Sequence, residues 1–186
     1  MRILAGDPGK VNFALSIIDI DDKTNKLEII GTKMCENPVQ RMHENVVEQS
    51  QAFLAELRAL NKEYGKFDAL TFERFQSRGL GGNTIEVISL MIGLASVFAA
   101  EENISAMFIT ASQWKNAFNR KLVLNDLYND YKLKSVKSPK TIHEFDSSLI
   151  GFYTFYKHRG IVPFTSIDKN IDTYMERFLT SSNLTL

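Results

Sequence analysis

Three apolar runs open the chain, and helical spacing begins only at Val39. The first run, Arg2 to Gly6, ends at Asp7-Pro8-Gly9. Proline presets φ and glycine tolerates a positive φ, so this tripeptide reads as a turn. Val11 to Ile20 is β-branched and aromatic and forms a second strand, and Leu27 to Met34 forms a third after the polar stretch Asp21 to Asn25. Strands this close together pair as an antiparallel meander. That opening directs the chain away from a doubly wound parallel sheet.

The period then changes. Val46, Val47, Phe53, Leu54, Leu57 and Leu60 recur at helical spacing between Val39 and Asn61. Phe67 to Phe72 is a strand ending at Glu73, and the glycine-rich stretch Arg74 to Asn83 is a loop. Thr84 to Glu101 is an apolar helix, Ser105 to Thr110 a fifth strand, and Ser112 to Phe118 a short helix with Ser112 as its cap. Residues 119–140 are basic and irregular or helical. Thr141-Ile142-His143-Glu144 has the form of a capping box and starts a helix that runs to about His158 and stops at Gly160. Asp168 to Leu179 is a last amphipathic helix. The order βββαβαβ…α gives an α/β fold with a five-stranded mixed sheet flanked by helices. The division expected is one domain over residues 1–160, with 161–186 a helical extension of it.

Composition removes other classes. With 44% hydrophobic and 24% charged residues in 186, the chain is globular and not disordered. The single cysteine, Cys35, excludes an intramolecular disulfide and a cysteine-rich zinc site. The first apolar run is too short for a signal peptide. The longest apolar stretch, Val87 to Ala100, is too short to cross a bilayer. A cytoplasmic location with no membrane partner is the expectation. Lys plus Arg and Asp plus Glu both number 22, so any affinity for nucleic acid has to come from local charge.

Three acids stand out by position. Asp7 follows one apolar strand, Glu73 ends another, and Asp146 lies in the first turns of a helix three residues after His143. Residues three apart share a helix face. On this helix Ile142, Phe145, Leu149, Tyr153 and Tyr156 form the apolar stripe, with Asp146 at its edge and His143 just beyond. Both could lean over the sheet rim where Asp7 and Glu73 end. Clustered carboxylates repel one another, and Mg²⁺ or Mn²⁺ would relieve that repulsion at an oxygen-rich site. Two such ions about 3.5–4 Å apart suit phosphodiester cleavage. Each residue also has a plainer reading: Asp7 as a turn former, Glu73 as the surface partner of Arg74, Asp146 and Glu144 as acids at a helix start, and His143 as a structural histidine. For Glu144 the capping role with Thr141 is the reading adopted.

Four segments, in order, resemble the RuvC-type Holliday junction resolvases. They are ILAGDPG with NFALSIID, LTFERFQSRG with Asn83 and a helix reaching Gly93, ITASQWK, and HEFDSSLIG. The wording ERFQSRG is similar to phage-type members. The resemblance runs from residue 3 to about 158. It implies an RNase H-like fold, a homodimer, and divalent-metal nicking of four-way DNA junctions in a bacterial or phage-infected cell. Carried over, Asp7, Glu73 and Asp146 are the metal-binding acids and His143 the fourth ligand. Phe75 matches an aromatic at the junction core, and Lys115 a lysine near the scissile phosphate. Ser147 departs from the small residue, often Ala, that follows the last acid, and residues 160–186 match nothing in the family.

Between Gln113 and Lys140 the basic residues Lys115, Arg120, Lys121, Lys132, Lys134, Lys137 and Lys140 face only Asp126 and Asp130. Such a patch suits phosphate contacts, and Lys134 and Lys137 are its expected DNA contacts with Arg120 and Lys121. Arg74 and Arg78 flank Phe75 and add charge near the acids. The plainer reading is a solvated helix with core aromatics. The helix Thr84 to Glu101 carries more apolar surface than one core needs, which points to a dimer interface. Two other functional classes stay open. An actin-like phosphotransferase also opens with a strand, an acid and a glycine turn, but needs two such domains. A non-catalytic module of the same fold would be expected to have lost one of the acids.

Overall fold

The computed structural model describes residues 1–9, 12–21, 23, 26–36, 46–74, 82–118 and 141–158. In chain order these form β1 (Arg2–Pro8), β2 (Asn12–Asp21), β3 (Lys26–Glu36), α1 (Val46–Tyr64), β4 (Ala69–Arg74), α2 (Gly82–Glu101), β5 (Ser105–Thr110), α3 (Ala111–Phe118) and α4 (Ile142–His158). The expected helix over Asp168 to Leu179 and the basic stretch 119–140 lie outside the described residues.

The strands make one mixed sheet in the order β3-β2-β1-β4-β5. The meander is antiparallel, as its short turns require, while β1 with β4 and β4 with β5 are parallel. Parallel neighbours need a crossover connection, and α1 and α2 supply the two crossovers. Strand alternation sends Leu4, Leu15, Ile17, Leu70 and Phe72 to one face, where α1 and α2 cover them. Ile3, Ala5, Ile18 and Ile109 go to the other, under α4 and Trp114 of α3.

The Asp7-Pro8-Gly9 turn is not where the sequence pattern puts it. Strand β1 continues through Asp7 and Pro8, with Asp7 opposite Ala14 and Pro8 opposite Phe13. Pairing with β4 ends at Gly6, so Pro8 sits beyond the last β4 partner, where its missing N–H breaks no ladder on that side. Helix α1 runs on to Tyr64, past the expected end at Asn61. Helix α2 begins at Gly82, and its 20 residues are long and apolar enough to cross a membrane by length and composition, unlike the 14-residue stretch read from sequence. Here Val87, Ile88, Met91, Ala95, Phe98 and Ala99 on that helix are buried. Ile142 is also unlike its expectation. It is 53% exposed, because the first turn of α4 precedes the helix's descent onto the sheet.

Two glycines permit close approaches beneath the strand ends. A Cβ on Gly6 would stand 2.5 Å from the Phe72 ring and 3.0 Å from that of Phe13. Those two rings meet edge to face at 5.3 Å, directly under the segment that carries Asp7. On α4, a Cβ on Gly151 would lie 2.2 Å from Ile18 Cδ1 and 3.0 Å from Ala5 Cβ. Cys35 is buried on the α1 side, which pushes its thiol up to about 11 and makes it a packing residue rather than a nucleophile.

Gly151 and Gly93, both in helix interiors, should respond oppositely to alanine. Gly151→Ala overpacks a buried contact and should destabilise the fold by roughly 1–3 kcal/mol, less the helix-propensity gain. A Cβ on Gly93 would meet nothing within 4 Å, so Gly93→Ala should stabilise by about 0.5–1 kcal/mol. Urea unfolding of both variants checks the pair, and equal signs would contradict the packing described.

Candidate active site at the strand ends

Parallel pairing of β1 with β4 places Gly6 opposite Phe72, so Asp7 and Glu73 come next along adjacent strands at the same end of the sheet. Alternation turns both to the α4 side. Asp7 follows Ile3 and Ala5 of that face, and Glu73 follows Thr71, whose hydroxyl lies 2.7 Å from Thr154 of α4. The two carboxylates then have different neighbours. Asp7 Oδ2 is 3.1 Å from His143 Nδ1, a contact spanning 136 residues of sequence. Glu73 Oε2 accepts a 2.7 Å hydrogen bond from the indole Nε1 of Trp114, and Lys115 Nζ is 3.8 Å from the same oxygen.

Helix α4 delivers His143 and Asp146, and its first turn is held at several points. Thr141 and Glu144 form the capping box read from sequence. The Thr141 N–H donates to Glu144 Oε2 at 2.9 Å, and the Glu144 N–H donates to Thr141 Oγ1 at 3.2 Å. Glu144, 4% exposed, is therefore tied to the helix start, in keeping with the structural role adopted for it. The Glu144 carbonyl lies within hydrogen-bond reach of three buried hydroxyls: Ser147 at 2.7 Å, Ser148 at 2.9 Å and Ser16 of β2 at 3.0 Å. Ser16 also meets Ser147 directly. The serine that departs from the family pattern thus has a partner on the sheet. Asp146, on the same turn, is 3% exposed, whereas His143 is 46% exposed.

Helix α3 begins differently from the expectation. Thr110, not Ser112, is the cap. Gln113 Oε1 accepts from the Thr110 N–H at 2.8 Å, and the Thr110 and Ser112 hydroxyls meet at 3.0 Å. The run Thr110-Ala111-Ser112-Gln113 is a capping-box sequence that could have been read in advance. The cap fixes the rotation of α3 and so the direction of Trp114 and Lys115. Lys115 Nζ stands 4.8 Å from the centre of the Trp114 ring, a cation–π distance. Trp114 is the site residue that the sequence reading missed in this role. The signal for it in the sequence is its place beside Lys115.

The donor set is three carboxylates and one imidazole, oxygen-rich as Mg²⁺ and Mn²⁺ prefer. In kind the residues fit such a cation. In arrangement they meet pairwise: Asp7 joins His143, and Glu73 is held by α3. Among the described residues no group of three His, Cys, Asp or Glu side chains is gathered as a metal-holding set. Arg74 is exposed at the end of β4. Phe75, Arg78, Arg120, Lys121, Lys134 and Lys137 lie outside the described residues.

Among solved structures the fold superposes on Thermus thermophilus RuvC in complex with a Holliday junction substrate. The TM-score is 0.68 at 19% identity, covering 87% of this chain and 98% of that one. The chain has the RuvC-type resolvase fold. The RuvC-type arrangement extends to the yeast mitochondrial Holliday junction resolvase Ydc2, with a TM-score of 0.54 at 12% identity over 95% of this chain and 84% of that one. It extends also to the fowlpox virus Holliday junction resolvase, with a TM-score of 0.50 at 18% identity over 86% and 99%. No protein-family model and no curated protein matches the sequence.

The hydroxyl cluster under α4 is open to a direct check. Ser16→Ala removes one of the three hydroxyls near the Glu144 carbonyl and a partner of Ser147, and should cost about 1 kcal/mol of stability. Chemical denaturation measures it. A stability unchanged from the parent would mean that Ser147 and Ser148 alone satisfy that turn.

Proposed function

We propose that the chain is a divalent-metal-dependent, structure-selective DNA endonuclease that resolves four-way junctions by paired nicks. The observation that carries this reading is the contact between Asp7 at the end of β1 and His143 of α4, beside Glu73 on the adjacent parallel strand. It occurs in a fold shared with a RuvC solved on a junction substrate. Asp7, Glu73, Asp146 and His143 are the residues that would hold Mg²⁺ or Mn²⁺, two ions in this reading. When bound, such ions polarise a phosphate oxygen and acidify water. The products are a 5′-phosphate and a 3′-hydroxyl.

The chain's own groups divide the remaining work. The His143 imidazole sets the orientation of the Asp7 carboxylate through Nδ1. Lys115 places an ammonium beside Glu73, where a phosphate would otherwise meet uncompensated negative charge. Arg74, exposed at the rim, and the basic residues of 119–140 would bind the DNA backbone, with Phe75 at the junction core.

Asp7→Asn, Glu73→Gln and Asp146→Asn should each abolish cleavage of labelled four-way junctions in Mg²⁺ or Mn²⁺ while keeping junction binding. His143→Asp should retain substantial activity and His143→Ala should lose it. Cleavage at the parent rate by Asp146→Asn would overturn the assignment of that residue.

Paired nicks also imply two active sites. A junction is roughly two-fold symmetric, and an isologous dimer supplies two sites in matching geometry. Helix α2 leaves Ile85, Leu90, Ile92 and Leu94 partly exposed and Val97 47% exposed, an apolar remainder suited to self-association. Sedimentation should find a dimer, and Val97→Asp should weaken it. That variant should still nick but release fewer fully resolved products. A parent chain that sediments as a monomer with and without junction DNA would defeat the dimer and leave the nuclease reading standing.

A further inference from the structure

The chain contains one tryptophan, and it is fully buried against Glu73, the last residue but one of β4. A buried indole needs an acceptor for its N–H, and phenylalanine would fill apolar space without that demand. Trp114 finds its acceptor in Glu73 Oε2 at 2.7 Å, within the normal range of a charge-assisted hydrogen bond. The next residue, Lys115, reaches the same oxygen at 3.8 Å while lying 4.8 Å from the indole centre. Two consecutive helix residues therefore converge on one carboxylate oxygen, one through a directional N–H and the other through charge. The platform beneath them is set by the Thr110–Gln113 cap and by β5, which pairs in parallel with β4 and places Ile109 opposite Glu73.

We propose that Trp114 is a positioning residue for Glu73. Its indole N–H fixes the rotation of the carboxylate, and the Lys115 ammonium laid against the ring reinforces the same oxygen. The inference deepens the nuclease reading and rests on it for the activity readout alone, because the geometry it concerns is that of a carboxylate and its donor. A partner that orients a metal-binding carboxylate influences metal affinity without touching the metal.

Because tryptophan occurs once, biosynthetic replacement with benzothienylalanine changes a single atom group in the whole protein: sulfur replaces the indole N–H, and ring size is kept. Parent and analogue are compared by calorimetric titration with Mn²⁺ in the absence of DNA, by junction affinity, and by single-turnover cleavage. Trp114→Phe serves as a second variant should the analogue incorporate poorly. The expected result is Mn²⁺ affinity and cleavage rate lowered about 10–100-fold, with junction affinity within about twofold of the parent. Lys115→Gln should lower the cleavage rate as well, whereas losing a cation beside Glu73 should not weaken Mn²⁺ binding. Mn²⁺ affinity and cleavage rate both unchanged in the analogue would overturn the proposal and leave Trp114 as packing. A parent that binds Mn²⁺ but cleaves no branched DNA would overturn the nuclease reading, while the Mn²⁺ comparison still decides the role of Trp114. A parent that binds no Mn²⁺ overturns both.

Discussion

The close seating of α4 on the sheet at Gly151 is the constraint on which the site depends. With no side chain there, the helix backbone comes down onto Ile18 of β2 and Ala5 of β1, the strand that leads to Asp7. Thr154, one turn on, meets Thr71 of β4. At the other end of the helix, buried hydroxyls join the Glu144 carbonyl to Ser16 of β2. Helix α4 is thus fixed to β1, β2 and β4 along its length, and its first turn delivers His143 to Asp7. Interiors are packed as densely as organic crystals, so a shift of the helix at one contact is felt at the others.

The two strand-end carboxylates are stabilised in different ways. Asp7 relies on an imidazole that reaches it from a partly exposed position, and Glu73 on a fully buried indole and a half-exposed ammonium. Neighbouring carboxylates without such partners would repel, and each would favour protonation. Here each acid has its own partner, and the two acids stand on adjacent strands of one sheet. The exposed ion pairs elsewhere, such as Arg58 with Glu101 and Lys33 with Glu56, contribute little by comparison.

Much of this was legible in the sequence, because the signals were local. The acids at the ends of apolar runs, the Thr141–Glu144 capping box and the switch from period two to helical spacing all survive in the structure. Where the reading failed, a tertiary contact had overridden a local preference. Asp7-Pro8 has turn chemistry, but pairing with Ala14 and Phe13 holds it in the strand. Ser112 looked like a cap, but Thr110 lies at the strand end and has Gln113 in reach. Ile142 fits the apolar stripe of α4 by angle, yet the sheet does not extend to it. The bond from Trp114 to Glu73 joins residues 41 apart in sequence and has no periodic signature.

The chain distance between Asp7 and His143 bears on when this strand end is completed during synthesis. The meander β1–β3 is made first and pairs through contacts close in sequence, but Ser16 waits for Ser147 and Ser148, and Asp7 waits for His143, until α4 has left the ribosome. Contacts of such separation close late, since the entropy of a long loop is lost before they form. A nascent chain therefore carries Asp7 without the helix that brings His143 to it, and a product truncated before α4 would be incompletely folded. Completion of this strand end is coupled in this way to finishing α4.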